Sequence, residues 1–407
     1  MSQPRNEARI VGLMALGFGL VGIDRFMIST LYPVIAHDLH LGYGDIGKIT
    51  GALAIAWGLA ALVMGNLSDR IGRRQVLAGA LLVFALLISA SGLATGLLSL
   101  VLVRIVMGVA DGAYTPVSIA TTIEASAPRR RGLNIGIQQT MLPLFGLGIA
   151  PLIVSQLLHL MGWRLIFSLF AAPGLLLAWL VWRTIPDGRP DTGPDAGGQG
   201  TARSSRADWG AVLAVPNIRL GMAMMLCWLT CLVTTSALLP NYFTDYLHLP
   251  LEQMSWVMSA TGFGAMAGTL LLPALSDRIG RKPVFLISVV GAGVSLIMLS
   301  RTGAAPTVLF GWLFAVNFFN NASITLTVGP LCSESVPASL MATATGVVIA
   351  CGELFGGGIA PVIGGQIAER FGINNILWLP IGAMGVGLVL CALTRETWAR
   401  GGAGDGA

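Results

Sequence analysis

The heptapeptide LSDRIGR stands at residues 67–73 and is repeated without change at 275–281, which is 208 residues further along the chain. A second segment, LFGLGIAPLI (144–153), recurs as LFGGGIAPVI (354–363) at an offset of 210 residues. Two matches in the same order and at nearly constant spacing indicate that the chain consists of two homologous halves. Internal repeats of this kind are common in membrane transporters, where the functional site lies between the repeats.

The composition favours a lipid bilayer as the environment of the chain. Charged residues make up 11% of its 407 residues and apolar residues 55%, whereas a soluble domain carries about 25% charged residues. Apolar stretches of about 20 residues, long enough to cross a hydrocarbon core of ~30 Å, recur along the sequence. We predict an all-α integral membrane protein with twelve transmembrane helices in two six-helix pseudo-symmetric bundles. The predicted spans are 10–36, 45–66, 74–95, 97–123, 132–159, 164–183, 215–241, 252–275, 283–300, 305–332, 340–367 and 374–394.

The segment between the sixth and seventh spans divides the chain. Its sequence, PDGRPDTGPDAGGQGTARSSRAD, is rich in Gly, Pro, Asp and Ser and predicts a flexible linker. The predicted units are an N-terminal bundle at 1–185, a linker at 186–212 and a C-terminal bundle with a short tail at 213–407. Eighteen of the 24 Lys and Arg residues fall on the side of the termini. This predicts a multi-pass protein of the cell (inner) membrane with both termini in the cytoplasm, and the basic excess indicates no nucleic-acid partner.

The repeated heptapeptide lies in the loops after the second and eighth spans. Glycines there permit close helix approach and a tight reversal, and the arginines can pair with carboxylates on a neighbouring helix or with anionic lipid. Such pairs would break as the cytoplasmic side opens, so we predict a conformational latch. Alternatively, the arginines only set the topology. The latch residues are Gly65, Asp69, Arg70, Gly72, Arg73 and Arg74, with Asp277, Arg278, Gly280 and Arg281 in the second half.

The longer sequence GNLSDRIGRR (65–74) resembles the signature cytoplasmic loop of the major facilitator superfamily, and its recurrence after the eighth span agrees with that resemblance. The resemblance covers essentially the whole chain. It implies the major facilitator fold and transport by alternating access. It also implies that Asp69 and Arg73 carry the latch, with Asp277 and Arg281 as their second-half equivalents.

Five charged residues fall well inside predicted spans. They are Asp24 and Arg25 in the first span, Arg104 and Asp111 in the fourth, and Glu353 in the eleventh. Each costs about 2.5–3.5 kcal/mol at the centre of a membrane helix, so such residues by default mark a transport pathway. We predict Asp111 as the partner of Arg25, and Asp24 and Asp111 as proton-coupling groups. Glu353 is either a third titratable site or a helix-to-helix hydrogen bond, and a permanent structural ion-pair hub is the alternative for the set.

A narrower resemblance concerns the charged helices. IDRFMIS (23–29) is similar to the Asp-Arg-x-x-x-Ser signature of the anion:cation symporter family, and RIVMGVADGAYTP (104–116) resembles the fourth-helix pattern of that family. The resemblance implies that Arg104 holds a substrate carboxylate while Asp24 and Asp111 take protons. Trp57 stands where the family has a tyrosine, which makes the cavity less polar. We therefore expect a small or more apolar carboxylate, including an aromatic one.

Further polar and aromatic residues at helical spacing are predicted to contact the substrate together with Arg104 and Arg25. In membrane helices, amides and hydroxyls also mediate helix packing, so the two alternatives stay open for each. These residues are Trp57, Gln138, Gln139, Thr234, Asn241, Asn317 and Asn321.

These observations predict a secondary active transporter rather than an enzyme. It would import a small organic anion by proton symport, as a monomer in the lipid bilayer, with the proton gradient as its energy source and no cofactor or metal. The glycine-rich segments lack a phosphate-binding loop with its lysine, which argues against ATP-driven transport. The alternative is a proton-coupled efflux antiporter for drugs or metabolites. A transporter-like sensor is a third class, for which the short ends offer no signalling segment.

Overall fold

The structure of the protein is a computed structural model that describes residues 4–185, 206–337 and 340–396. Twelve long helices dominate these residues, and eleven of them are long and apolar enough to cross a membrane. The remaining one, α2, is a helix of 29 residues. The helices are α1 (Pro4–Leu39), α2 (Tyr43–Ile71), α3 (Arg73–Gly92), α4 (Leu97–Ala125), α5 (Arg131–Leu160), α6 (Trp163–Thr184), α7 (Pro216–Tyr246), α8 (Leu251–Ile279), α9 (Arg281–Arg301), α10 (Pro306–Ser335), α11 (341–371) and α12 (Trp378–Leu393).

The predicted all-α membrane architecture is confirmed, and most helices run a few residues beyond the predicted spans. The extensions have a physical cause, because the ends of membrane-spanning helices project beyond the hydrocarbon into the interfacial region. Apolar side chains on the outside of the bundle remain exposed; Leu86 is 58% and Val389 is 61% accessible. A surface of this kind is stable only against lipid.

Four of the helices contain a π-helical turn in which the backbone is locally underwound. The turns are Leu144–Ile149 in α5, Tyr242–Tyr246 in α7, Thr327–Leu331 in α10 and Gly352–Ile359 in α11. Those in α5 and α11 lie in the two copies of the repeated segment LFGxGIAPxI, so the halves share this distortion as well as the sequence. π-Helical turns occur frequently at functional sites.

Part of the predicted linker is ordered. Residues 186–205 lie outside the described residues, but Arg206–Ala214 forms a short helix where a flexible segment was predicted up to residue 212. Val212 is fully buried in the core of the C-terminal half, and this burial of an apolar side chain stabilises the helix.

Glycines bring the two halves (α1–α6 and α7–α12) into close contact along two helix crossings. In the α2–α11 crossing, Gly51 packs against the carbonyl oxygen of Gly358. In the α5–α8 crossing, Gly262 packs against the backbone of Gly148. Small residues are the usual means by which membrane helices approach closely. The two crossings are related by the internal repeat.

The halves are also joined at the side of the molecule opposite the termini, which we call the distal side; the side of the termini is the linker side. Tyr43 Oη donates a hydrogen bond of 2.9 Å to Asp245 Oδ2. The backbone nitrogen of Gly44 donates one of 2.9 Å to Glu369 Oε1. His159 Nε2 lies 2.9 Å from Glu252 Oε1. The structure is therefore closed on the distal side.

Candidate functional site

The five charged residues that sequence analysis placed inside the membrane converge between the two halves. Asp24 and Arg25 come from α1, Arg104 and Asp111 from α4, and Glu353 from the π-helical turn of α11. All five are buried or nearly so: the side chain of Arg25 is 11% exposed and that of Glu353 is 6% exposed, and Asp24, Arg104 and Asp111 are at most 1% exposed. Burying a charged group costs free energy, so charged residues are buried in this way only when they pair with one another or serve a function.

Arg104 pairs with Asp24, and both side chains are fully buried. Arg104 Nη1 donates to the backbone oxygen of Asp24 at 2.9 Å and lies 3.4 Å from Oδ1 of the same residue. Its Nη2 contacts Ser91 Oγ at 3.5 Å. Arg104 Nε and Asp24 Oδ2 have no hydrogen-bond partner among the described residues. The guanidinium group therefore keeps a free donor, and the carboxylate keeps a free acceptor.

Arg25 pairs with Glu353 across the boundary between the halves. Its Nη2 lies 2.8 Å from Glu353 Oε2, and its guanidinium group stacks 4.6 Å above the ring of Trp57. The prediction that Asp111 is the partner of Arg25 is therefore wrong. The physical reason is that Glu353, at the start of the π-helical turn of α11, lies within hydrogen-bond distance of Arg25, whereas neither carboxylate oxygen of Asp111 makes a hydrogen bond with a described residue.

Asp111 remains without a direct partner. Both of its carboxylate oxygens are buried and make no hydrogen bond with any described residue. The side chain nevertheless lies within electrostatic reach of both arginines and of the two other carboxylates. A buried acidic group in this position can exist in protonated form, because a neutral carboxyl group is less costly to bury than a carboxylate.

A small cavity lies between the halves beside the arginines. Arg25 and Arg104 both line it, and among the described residues its lining contains no carboxylate. Two guanidinium groups that line one cavity can donate hydrogen bonds to an anion, since arginine can donate two parallel hydrogen bonds to a carboxylate. The other lining residues are Phe26, Ile28, Ser29, Thr50, Leu53, Val233, Ser236 and Ala237.

Two hydroxyl residues of this lining, Thr50 and Ser236, were missed by sequence analysis. Ser236 Oγ is buried and has no hydrogen-bond partner among the described residues. Thr50 precedes Trp57 by seven residues on α2, so both lie on the same face of that helix. The spacing from Trp57 was the available signal for Thr50; no comparable signal singled out Ser236 among the polar residues of α7.

The other predicted substrate contacts occupy different positions. Trp57 lies at the site, and its buried Nε1 has no hydrogen-bond partner among the described residues. Gln138 is buried between α4 and α5, where it bonds to Thr122 and Ser118, whereas Gln139 is exposed. Gln138 thus joins two helices of one half, which is the packing alternative.

In the C-terminal half, the predicted contacts Thr234, Asn241 and Asn317 are all buried. Asn241 Nδ2 donates to Asp245, and the amides of Asn317 and Asn321 donate to carbonyl groups of their own helix. Of these residues, Thr234 Oγ1 has no hydrogen-bond partner among the described residues, nor do the side-chain oxygens of Asn241 and Asn317. Their contact with a substrate stays a prediction.

The repeated loops have the geometry of tight reversals. Gly72 and Gly280 adopt φ values of 106° and 101°, in the region that favours glycine. In the first loop Arg73 forms an ion pair with Glu124 of α4. Arg74 stacks 4.3 Å above the ring of Trp182, while Gly65, Asp69 and Arg70 lie outside the residues whose side chains are described.

In the second loop, Arg281 binds Asp277 at 2.5 Å and Glu334 at 2.8 Å, and Arg278 is exposed. Each of these ion pairs joins helices within one half. Their role as a conformational latch stays a prediction.

The fold and the site define a class of protein. Two pseudo-symmetric six-helix bundles enclose a charged cavity that is closed on the distal side, which is the architecture of a secondary membrane transporter. The family model of the Major Facilitator Superfamily matches residues 14–354 and 233–402. The matches cover most of the chain, so the protein belongs to this superfamily; it is a multi-pass membrane transporter and not an enzyme.

Individual relatives agree with this assignment. The chain is 28% identical over 361 residues to the 3-(3-hydroxy-phenyl)propionate transporter of Escherichia coli (strain K12), covering 88% of this chain and 86% of that protein. It is 26% identical over 386 residues to the sialic acid transporter NanX of the same organism, covering 92% and 91%. The solved structure of the nucleoside transporter NupG superposes with a TM-score of 0.80 at 15% identity, covering 96% of this chain and 100% of that one. The last similarity shows the fold.

Proposed function

We propose that this protein imports a small organic carboxylate together with protons by alternating access. The observation that carries the proposal is the cavity between the halves, which Arg25 and Arg104 line and whose described lining contains no carboxylate. Arginine stays positively charged even when buried, and its planar guanidinium group matches the geometry of a carboxylate.

The carboxylates behind the arginines supply the coupling to protons. Asp24 and Glu353 neutralise one arginine each, and Asp111 lies near both. An incoming anion adds a negative charge to this buried cluster. That addition is favourable when a proton enters at the same time, because an uncompensated buried charge costs several kcal/mol. Asp24, Asp111 and Glu353 are the groups that can accept the proton.

The substrate class follows from the rest of the lining and from the relatives. Phe26, Ile28, Leu53 and Val233 give the cavity an apolar wall beside the arginines. Such a wall favours a substrate with an apolar or aromatic body attached to its carboxylate. The relative whose name specifies hydroxyphenylpropionate supports this chemistry, and the relative named for sialic acid supports a carboxylate.

The direction of transport depends on the orientation in the membrane. The concentration of Lys and Arg on the linker side supports a cytoplasmic location for this side and for both termini in the cell (inner) membrane. In this orientation the structure is closed towards the outside of the cell. Proton entry down its gradient then drives import.

Uptake into proteoliposomes tests the proposal. The purified protein is reconstituted, and a panel of labelled carboxylates including 3-(3-hydroxyphenyl)propionate, benzoate and sialic acid is added with an inwardly directed proton gradient. We expect accumulation of at least one carboxylate, collapse of this accumulation by a protonophore, and loss of it in Arg104→Gln. Protein-free liposomes are the control. Accumulation that a protonophore leaves unchanged would contradict symport, and exclusion of every carboxylate would contradict the substrate class.

A further inference from the structure

Charged residues inside the spanning helices are distributed unequally between the two halves. Most of them belong to the N-terminal half, and Glu353 belongs to the C-terminal half. In the described part of the C-terminal half, the other charged side chains lie at helix ends or in loops, as Asp277, Arg301 and Glu369 do. Glu353 alone stands in the middle of a spanning helix. It points to the N-terminal half, where it meets Arg25.

The carboxylate of Glu353 occupies a well-defined binding position on the guanidinium group of Arg25. Oε2 lies 2.8 Å from Nη2, and the ring of Trp57 covers one face of the guanidinium group. Gly357 leaves the space that the carboxylate needs, because a Cβ atom at this position would lie 2.8 Å from Glu353 Oε2. On the side of α2, a Cβ atom at Gly58 would lie 3.7 Å from the Cβ of Glu353, an ordinary van der Waals contact.

The neighbours of Glu353 leave Arg25 as its direct partner. The glycines on either side of it in the π-helical turn, Gly352 and Gly356, pack against the uncharged residues Met225 and Leu229 of α7. From α2, Gly58 lies next to the Cβ of Glu353, and α4 contributes Asp111 at electrostatic range. Among the described residues, the one positive charge that binds Glu353 directly is therefore the guanidinium group of Arg25, which also lines the cavity.

We propose that Glu353 is a tethered substitute for the substrate carboxylate: it occupies the anion-binding edge of Arg25 in the empty transporter, and a transported carboxylate binds by displacing it. This inference rests on the proposed transport of carboxylates. Glu353 is thereby a residue that determines specificity, because it selects for substrates whose anionic group can replace a carboxylate on Arg25.

The displacement requires one proton. Before binding, the carboxylate of Glu353 accepts the hydrogen bond from Arg25; afterwards the substrate carboxylate accepts it, and Glu353 is left buried without a counter-charge. Taking up one proton from water makes Glu353 a neutral carboxylic acid, and the total charge of the cluster is unchanged. Retaining the charge instead would place two carboxylates on one guanidinium group in a medium of low dielectric, which is strongly unfavourable.

The exchange also changes the connection between the halves. The Arg25–Glu353 ion pair links α1 to α11 across their boundary in the distal-closed structure. A substrate that replaces Glu353 breaks this link, so binding itself weakens the distal-closed state. A ligand shifts a conformational equilibrium by its difference in affinity for the two states, and this exchange supplies such a difference.

Rescue by a small carboxylate tests the substitution. Glu353→Ala removes the tethered carboxylate and leaves Arg25 with an open anion site. We expect formate to raise the thermal unfolding temperature of purified Glu353→Ala by several degrees relative to chloride at equal ionic strength. The same comparison should leave the wild type unchanged, and also the double variant Glu353→Ala/Arg25→Gln. A folded Glu353→Ala protein that responds equally to formate and chloride would overturn the proposal.

Proton counting with Glu353→Gln provides a second, independent test that does not depend on the stability of the alanine variant. Proton uptake on binding is measured in weakly buffered detergent solution with the carboxylate that proves to be transported in proteoliposomes. We expect the wild type to take up one proton more than Glu353→Gln. While Glu353 is ionised in the free protein, each unit of pH increase therefore lowers the affinity of the wild type by an additional factor of ten. Equal proton uptake would overturn the exchange. If no carboxylate is transported, the proposed function fails, and the formate experiment still decides whether Glu353 occupies an anion site.

Discussion

Alanine at Gly262 should open the distal side of the molecule, and alanine at Gly148, its partner in the α5–α8 crossing, should not. A Cβ atom on Gly262 would lie 2.5 Å from Cα of Gly148 and still closer to the Gly148 nitrogen and the Pro143 carbonyl oxygen. These are backbone atoms, which cannot rotate away. A Cβ atom on Gly148 would instead have its nearest neighbour at 3.6 Å, an ordinary van der Waals contact.

The size of the effect follows from this geometry. Ordinary contact begins at 3.4 Å, so Gly262→Ala separates the backbones of α5 and α8 by at least about 0.9 Å in the distal-closed state. Overpacking of this kind costs about 1–3 kcal/mol. Because the crossing separates when the distal side opens, the cost falls on the closed state and shifts the equilibrium about 5- to 150-fold towards opening.

Spin labels at the distal ends of the two helices measure this shift. Leu160 of α5 and Gln253 of α8 are exposed and suit labelling, in a background where the partly exposed Cys351 is replaced by serine. We expect the distance distribution in Gly262→Ala to gain a longer component that is absent from the wild type and from Gly148→Ala. A distribution identical to that of the wild type in a folded Gly262→Ala protein would refute the assignment of this crossing as a determinant of distal closure.

Three further predictions concern the charged site. Asp24→Asn should abolish accumulation driven by the proton gradient while substrate exchange continues, because it removes a proton-accepting group but retains the backbone oxygen that binds Arg104; loss of counterflow together with accumulation would speak against this role. Arg104→Lys should weaken substrate binding about tenfold or more, since lysine cannot donate two parallel hydrogen bonds to a carboxylate, and calorimetric titration showing unaltered affinity would place the anion elsewhere. Trp57→Phe retains an aromatic ring below Arg25 but removes a buried N–H donor, so affinity should fall about fivefold, corresponding to about 1 kcal/mol; an equal affinity in a binding assay would show that this N–H does not contact substrate.

The fold could be predicted almost completely because its signals are local or repeated. The length of each apolar stretch fixes a membrane helix, and the repeat of LSDRIGR at 67–73 and 275–281 fixes the relation between the halves. The short helix Arg206–Ala214 was not predicted, because its stability depends on the burial of Val212 against distant parts of the chain. Tertiary contacts of this type leave no periodic pattern in a segment of nine residues.

The residues that form the charged site were predictable from the sequence, but the ion pairs that they make were not. The free-energy cost of placing a charge inside a membrane helix is enough to identify such residues as functional candidates, and all five come together in the structure. Adjacent residues of a helix point in directions about 100° apart, so Asp24 and Arg25 needed partners on different helices. Which carboxylate each would find depends on the rotation of α4 and α11, and the π-helical turn at Gly352–Ile359 changes the rotation of α11 without a sequence signal specific enough to predict it.

The unequal distribution of charge between the halves suggests how one site can couple two movements. The N-terminal half holds Arg104 with Asp24 inside a single bundle, so this pair survives any motion of one half against the other. The pair of Arg25 with Glu353 joins the bundles and must break when they separate there. A proton on Asp24 therefore changes the affinity of a site that moves as one body, whereas a proton on Glu353 changes the contact between the bodies. In the proposed function, substrate binding at the two arginines depends on both protonation events, and this dependence couples transport to the proton gradient.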